Sequence, residues 1–188
     1  MRNMKKVYLF LADGFQETEA IASVTICRRT EEIDIKTVSI TGYYMVESAS
    51  GVTVRADKLM EECDFGDADM LVMPGGMPGS TNLRDCKPLQ DVIMNHYKAG
   101  KALAAICAAP IVYGNLGILR GMNATCYPGF ESQLTGAIAT GKTVEVDGQF
   151  ITGHGPGASL DFGYAIVEYL LGKEIVQQVK ESMVWPYK

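Results

Sequence analysis

The residues best placed by type and spacing to do chemistry are a cysteine and two glutamates. Cys107 stands within K-A-L-A-A-I-C-A-A-P-I-V-Y-G-N-L, Lys101 to Leu116. Ala102 to Ile106 are small or β-capable and read as a strand. The following A-A-P-I-V-Y reads as a helix with Pro110 in its first turn, where a missing N–H costs nothing. Cys107 therefore falls at a strand-to-helix joint, the geometry of a nucleophile elbow. The unpaired N–H groups that open a helix carry partial positive charge. They would stabilise a thiolate there, or an oxyanion beside it. The alternative is a small buried apolar residue, as free cysteines usually are.

Glu17 and Glu19 lie in the first turn of the first expected helix, where acids complement the helix dipole. Next to a thiol, an ionised carboxylate raises the thiol pKa by repulsion. A carboxylic acid that keeps its proton can instead donate it as a hydrogen bond to the thiolate. Two such groups titrate as a coupled pair. His154, in G-H-G-P-G, sits between a strand and a helix and reads either as a base or substrate-binding group or as a loop histidine bonded to backbone. His96, at a helix end before Gly100, reads as a C-terminal cap. The glycines of P-G-G-M-P-G let a backbone approach something closely. An N–H at Gly76, with that of Ala108, would complete an oxyanion hole.

The elements that must position these groups follow in order. Lys6 to Ala12 is a buried strand by its continuous apolar run. After the Asp13-Gly14 turn, Glu17 to Thr30 reads as a helix with Arg28 and Arg29 in its last turn. Ile33 to Ile40 is a second strand, Tyr43 to Val54 a hairpin turning near Ser50-Gly51, and Asp69 to Met73 a third buried strand. Leu89 to Ala99 is a helix, and the Cys107 joint follows. Thr143 to Thr152 is a hairpin turning at Asp147-Gly148. Helices from about Ala158 to Leu171 and from Glu174 to Glu181 close the chain. Strands alternating with helices predict a mostly parallel sheet with helices on both faces. In such sheets ligands bind outside the carboxyl ends of the strands, where Gly14 to Glu19, Gly75-Gly76 and Cys107 all fall.

At 188 residues the expectation is one domain spanning 1–188. A net charge of -5, without charged blocks, speaks against a nucleic-acid surface. Arg2, Lys5 and Lys6 lead into too short an apolar run for a signal peptide. Pro110, Gly114, Asn115 and Gly117 interrupt the apolar stretch around Cys107, so no membrane span is expected. The five cysteines (Cys27, Cys63, Cys86, Cys107, Cys126) are odd in number and lack metal-ligand spacing. They read as reduced thiols in a cytoplasm-like compartment. With two histidines, no zinc site or other metal is expected, and nothing in the sequence calls for a cofactor.

Two motifs are set aside on context. Gly136 to Thr143, G-A-I-A-T-G-K-T, matches the phosphate-binding P-loop pattern, but that loop must open a helix and here a hairpin follows. Asn123-Ala124-Thr125 is a glycosylation sequon without a secretory route.

Together these segments resemble the DJ-1/ThiJ/PfpI superfamily, in particular its DJ-1-like branch. The resemblance is carried by A-D-G-F-Q-E-T-E-A, V-M-P-G-G, A-A-I-C-A-A-P, T-G-H-G-P-G and the closing G-K-E-I-V-Q-Q-V-K, nearly the whole chain. It implies an α/β, flavodoxin-like three-layer sandwich with a nucleophile elbow of the class I glutamine amidotransferase type, assembled as a homodimer. It implies that Cys107 is the oxidation-prone nucleophile, Glu19 rather than Glu17 its protonated partner, and Gly76 and Ala108 the backbone donors. Gly75, Glu17, Tyr127 and His154 would line the pocket. Members of this superfamily have been assigned glutathione-independent glyoxalase activity on methylglyoxal, protein deglycase activity, chaperone activity and oxidative-stress sensing. This chain departs from the pattern where Tyr127 replaces a pocket histidine, and where His154 and Ser50 replace arginines. The protease branch carries a histidine directly after the cysteine. Here that residue is Ala108, so peptidase activity is not expected. Three readings remain open: an aldehyde-converting enzyme, a non-enzymatic redox sensor or chaperone, and a Cys-His hydrolase using His154.

Overall fold

The computed structural model describes residues 4 to 186, so Arg2 lies outside the described residues. The first half comprises β1 (Lys5–Leu11), α1 (Glu17–Cys27), β2 (Ile33–Ser39), β3 (Met45–Glu47), β4 (Thr53–Arg55), β5 (Lys58–Leu59), β6 (Met70–Met73), α2 (Gly79–Asp85) and α3 (Lys87–Lys98). The second comprises β7 (Ala102–Ile106), α4 (Pro110–Asn115), β8 (Asn123–Ala124), β9 (Ile138–Ala139), β10 (Val144–Asp147), β11 (Phe150–Gly153), α5 (Ser159–Leu171) and α6 (Lys173–Ser182). Seven strands form one sheet in the order β10-β11-β7-β6-β1-β2-β5. Every pairing in it is parallel except β10 with β11.

Both faces of the sheet are covered, which is why β1 reads V-Y-L-F-L with no polar alternation. Val7, Leu9 and Leu11 pack toward α1, α5 and α6. Tyr8 and Phe10, pointing the other way, pack toward α2, α3 and α4. The helices α1 and α5 meet closely because a Cβ at Gly163 would lie 2.6 Å from Ile26 Cδ1. Ile26 is fully buried there, a placement that stabilises by about 2 kcal/mol. Among the described residues, no helix is long and apolar enough to cross a membrane, and all five cysteines are free thiols.

Several local expectations need correction. Helix α1 stops at Cys27, so Arg28 and Arg29 lie beyond its last turn. Arg28 instead reaches the Asp57 carboxylate at 2.6 Å. Helix α2 was not expected at all. His96 does not cap α3: it is 4% exposed and its Nε2 meets the Ala102 carbonyl at the start of β7. Burial, helped by the Lys101 charge, pushes the His96 imidazole down to about 4. The β10–β11 turn is Gly148-Gln149, because Asp147 pairs with Phe150 within the ladder. Its carboxylate is held by the Asn123 N–H at 2.8 Å and side-chain amide at 2.9 Å. The G-A-I-A-T-G-K-T stretch leads through β9 into β10 and opens no helix, as its context required.

Candidate active site

β7 lies between β6 and β11, and its carboxyl end delivers Cys107 to the rim of the sheet. Cys107 has φ 64°, the left-handed region that non-glycine residues rarely adopt. Hydrogen bonds on both sides impose it. The Cys107 N–H donates to the Gly153 carbonyl at 2.9 Å, and its own carbonyl accepts from the Tyr127 N–H at 2.8 Å. Such over-determination is what lets a strained backbone persist. The elbow differs from the expected strand-to-helix joint in one respect. Helix α4 begins at Pro110, so the Ala108 N–H that faces the sulfur belongs to the intervening turn.

Glu19 is fully buried, unlike most acids in a first helical turn. Its Oε2 accepts the Gly75 N–H at 2.7 Å, and its Oε1 is buried without an N–H or O–H partner. The group that answers Glu19 on its other side is the Cys107 thiol. Gly75 is wedged between the two. A Cβ there would come within 2.5 Å of Cys107 Cβ and 2.8 Å of Glu19 Oε2, so only glycine lets acid and thiol meet. Gly76 follows with φ 90°, and a Cβ on it would strike Gln16 N and Gly14 O at 2.5 Å. That close approach lets its N–H join that of Ala108 at the sulfur.

Burial pushes the Glu19 carboxyl up to about 7, against the opposing Gly75 N–H, and the neighbouring charge of Glu17 adds a little. Glu17, half-buried on the same turn, goes the other way. The Ser50 hydroxyl donates to it and holds its carboxyl below the usual range. The thiol of Cys107 is pushed up to about 12 by burial first, then by the charge of an ionised Glu19. The N–H groups of Gly76 and Ala108 pull it down. Two carboxyls on one helical turn have their proton affinities driven apart, and the one that is raised faces the thiol, which is the pattern of an acid–base site.

Next to this elbow is a cavity of about 440 Å³ walled by Tyr127, Thr143, His154, Pro156 and Ala158. Neither Cys107 nor Glu19 lines it, and Glu17 and Gly75 also lie outside it. Its walls are nevertheless tied to the elbow, since Tyr127 and the residue before His154 hold the Cys107 backbone. Tyr127 is 46% exposed and stacks edge-on against Phe130. His154 Nδ1 lies 3.3 Å from the hydroxyl of Thr125, a residue the sequence marked only through the sequon. Among the described residues, no group of three or more His, Cys, Asp or Glu side chains converges as a metal site.

The chain matches the DJ-1/PfpI family over residues 5–169. It is 36% identical over 182 residues to Protein DJ-1 homolog B of Arabidopsis thaliana, covering 96% of this chain and 41% of that protein. The chain thus spans less than half of that relative's length. It is 30% identical over 131 residues, 69% of each protein, to glutathione-independent glyoxalase DJR-1.2 of Caenorhabditis elegans. The solved structure of oxidized DJ-1 from Toxoplasma gondii superposes with a TM-score of 0.92 at 30% identity, covering 97% of this chain and 100% of that one.

Proposed function

The chain belongs to the DJ-1/PfpI family, and from that premise we propose that Cys107 is the nucleophile of a glutathione-independent, glyoxalase-type reaction on small reactive aldehydes such as methylglyoxal. The observation that carries this reading is one juxtaposition. A thiol fixed at an elbow meets a buried carboxyl that holds its proton to about pH 7, with two backbone N–H groups beside the sulfur. When Glu19 is protonated, its charge no longer opposes the thiolate and its O–H supports it.

The thiolate attacks the aldehyde carbon, forming a C–S bond while the carbonyl electron pair moves to oxygen. The Gly76 and Ala108 N–H groups hold that oxygen, and Glu19 delivers its proton there. The resulting carboxylate removes the hydrogen of the former aldehyde carbon as a proton. The freed electron pair forms a carbon–carbon double bond, and the neighbouring carbonyl becomes an enediolate oxygen, which takes the proton of the adjacent hydroxyl. Returning the Glu19 proton to the neighbouring carbon re-forms a carbonyl at the sulfur-bearing carbon and leaves a hydroxyacyl thioester, which water cleaves to a hydroxy acid and the free thiol. One substrate carbon is oxidised and the next reduced, so no outside oxidant is consumed. A phenol stands at residue 127 where a histidine is expected, so the proton transfers are assigned to Glu19. Adducts of the same aldehydes with amines or thiols form the wider, deglycase-type substrate class.

The test is lactate formation from methylglyoxal without glutathione, in the native protein and in Cys107→Ser and Glu19→Gln. Turnover lost in both variants supports the reading; a native protein without turnover overturns it. A second reading, an oxidative-stress sensor or chaperone, draws on the same stabilised sulfur, which a peroxide would take to sulfenic and then sulfinic acid. Peroxide titration with mass spectrometry supports that reading if Cys107 is oxidised before the other four thiols. A Cys-His hydrolase draws no support from the site, because the partner of the His154 ring is the Thr125 hydroxyl and not the Cys107 sulfur. A homodimer is proposed from the family resemblance. The exposed Tyr43, just before β3, and the exposed Met45 at the start of β3 offer it a surface that light scattering of a Tyr43→Glu variant would test.

A further inference from the structure

We propose that Thr125 fixes His154 in the tautomer that donates from Nε2 into the cavity beside Cys107, making that cavity a subsite for a substrate oxygen that accepts a hydrogen bond. Thr125 is 1% exposed, and the contact of its hydroxyl is His154 Nδ1 at 3.3 Å. Its backbone N–H is separately engaged with Thr152 Oγ1 at 2.9 Å. A buried hydroxyl left without an acceptor is costly, and the acceptor within reach is Nδ1. A neutral imidazole that accepts at Nδ1 carries its proton on Nε2. The backbone of His154 is pinned as well, its N–H donating to the Thr143 carbonyl at 3.0 Å. Nε2 makes no hydrogen bond within the described residues, and His154 is part of the cavity wall.

The consequence is chemical. A ring whose Nε2 already bears a proton cannot accept one from the cavity, so His154 acts there as a donor and not as a general base. Pro156 and Ala158 make much of the remaining wall apolar. A donor on such a wall selects compounds with a small apolar body and one acceptor oxygen. On the glyoxalase-type reading, on which this assignment of substrate rests, that oxygen is the second carbonyl of an α-oxo aldehyde whose aldehyde carbon meets Cys107. Thr125 is then a positioning residue and His154 a specificity-determining one.

The tautomer is read directly by nitrogen-15 NMR of the two imidazoles. His96 is the internal standard, because its Nε2 faces the Ala102 carbonyl at 3.0 Å and must carry the proton. The native protein is expected to show both rings protonated at Nε2. Thr125→Val should abolish that preference at His154 alone, and Thr125→Ser should restore it. A native His154 protonated at Nδ1 overturns the proposal. The subsite is tested on Cys107→Ser with hydroxyacetone, which keeps the acceptor oxygens but lacks the aldehyde. A saturable shift of the His154 signal with His96 unmoved is expected, and no shift overturns the subsite. In the active protein, His154→Leu should raise KM for methylglyoxal about tenfold, the loss of one hydrogen bond, with kcat changed less, and His154→Gln should recover part of it. A collapse of kcat at unchanged KM would make His154 a base and overturn the assignment. Absence of native turnover would sink the glyoxalase-type reading while leaving the NMR arms to decide this one.

Discussion

Cys27 and Cys107 are both buried in the core layer between the sheet and α1, α5 and α6, and burial is the largest of the causes that raise each thiol. At the end of α1, burial is the whole story: no charge or donor adjusts the Cys27 thiol. At the rim of β7, four further influences converge on Cys107, two from Glu19 and two from backbone N–H groups. The difference teaches that a thiol's proton affinity is set by what faces it as well as by how deeply it is buried. The proton affinity of Cys107 hangs on whether Glu19 is charged, whereas Cys27 has no neighbour to answer.

The comparison breaks most sharply under substitution. Cys107→Ser should lower turnover at least about a thousandfold, as loss of a covalent nucleophile does. Cys27→Ala should leave kcat/KM unchanged and cost on the order of 1 kcal/mol in a denaturant melt. Next comes the pH dependence of stability. The folded carboxyl of Glu19 binds its proton more tightly than the unfolded one, from an ordinary 4.5 up to about 7. Between those values the native state holds more protons than the unfolded chain, so stability is complete below 4.5 and falls as pH rises toward 7. The loss amounts to up to about 3 kcal/mol. Urea melts across this window should show that slope in the native protein and its absence in Glu19→Gln. Gly75→Ala should destabilise by roughly 1–3 kcal/mol through overpacking and should reduce turnover by separating acid from thiol. The smallest effect is expected from Glu17→Gln: removing a minor electrostatic contribution moves the midpoint of the same stability slope slightly down.

Much of this arrangement was legible in the sequence, and the part that was not has physical reasons. The run V-Y-L-F-L and the switch from A-L-A-A-I to A-A-P-I-V-Y at Cys107 are local signals, and β1, β7 and the elbow follow them. Helix α2 is seven residues long, opens on a glycine after Pro78 and carries one buried large apolar side chain, Leu83, so no periodicity announces it. His96 resembled a cap because its position in α3 is polar by pattern. Its ring instead turns to a strand six residues ahead. Glu17 and Glu19 are indistinguishable as first-turn acids, and the family resemblance chose between them. The structure supplies the cause: one meets Ser50, while the other is sealed against Gly75 and Cys107. Thr125 and His154 meet across 29 residues. No local pattern encodes such a pairing, and the N-A-T sequence around Thr125 pointed to a different chemistry altogether.

The central claim is that Glu19 keeps its proton so that Cys107 can lose its own. The most direct measurement is the ultraviolet thiolate absorbance of Cys107, taken as native minus Cys107→Ser, followed across pH. The account predicts a thiolate already present near neutrality, below the usual thiol value of about 8.5. A Cys107 thiol that ionises only in strong alkali, near the 12 that burial and a charged Glu19 impose, would contradict it.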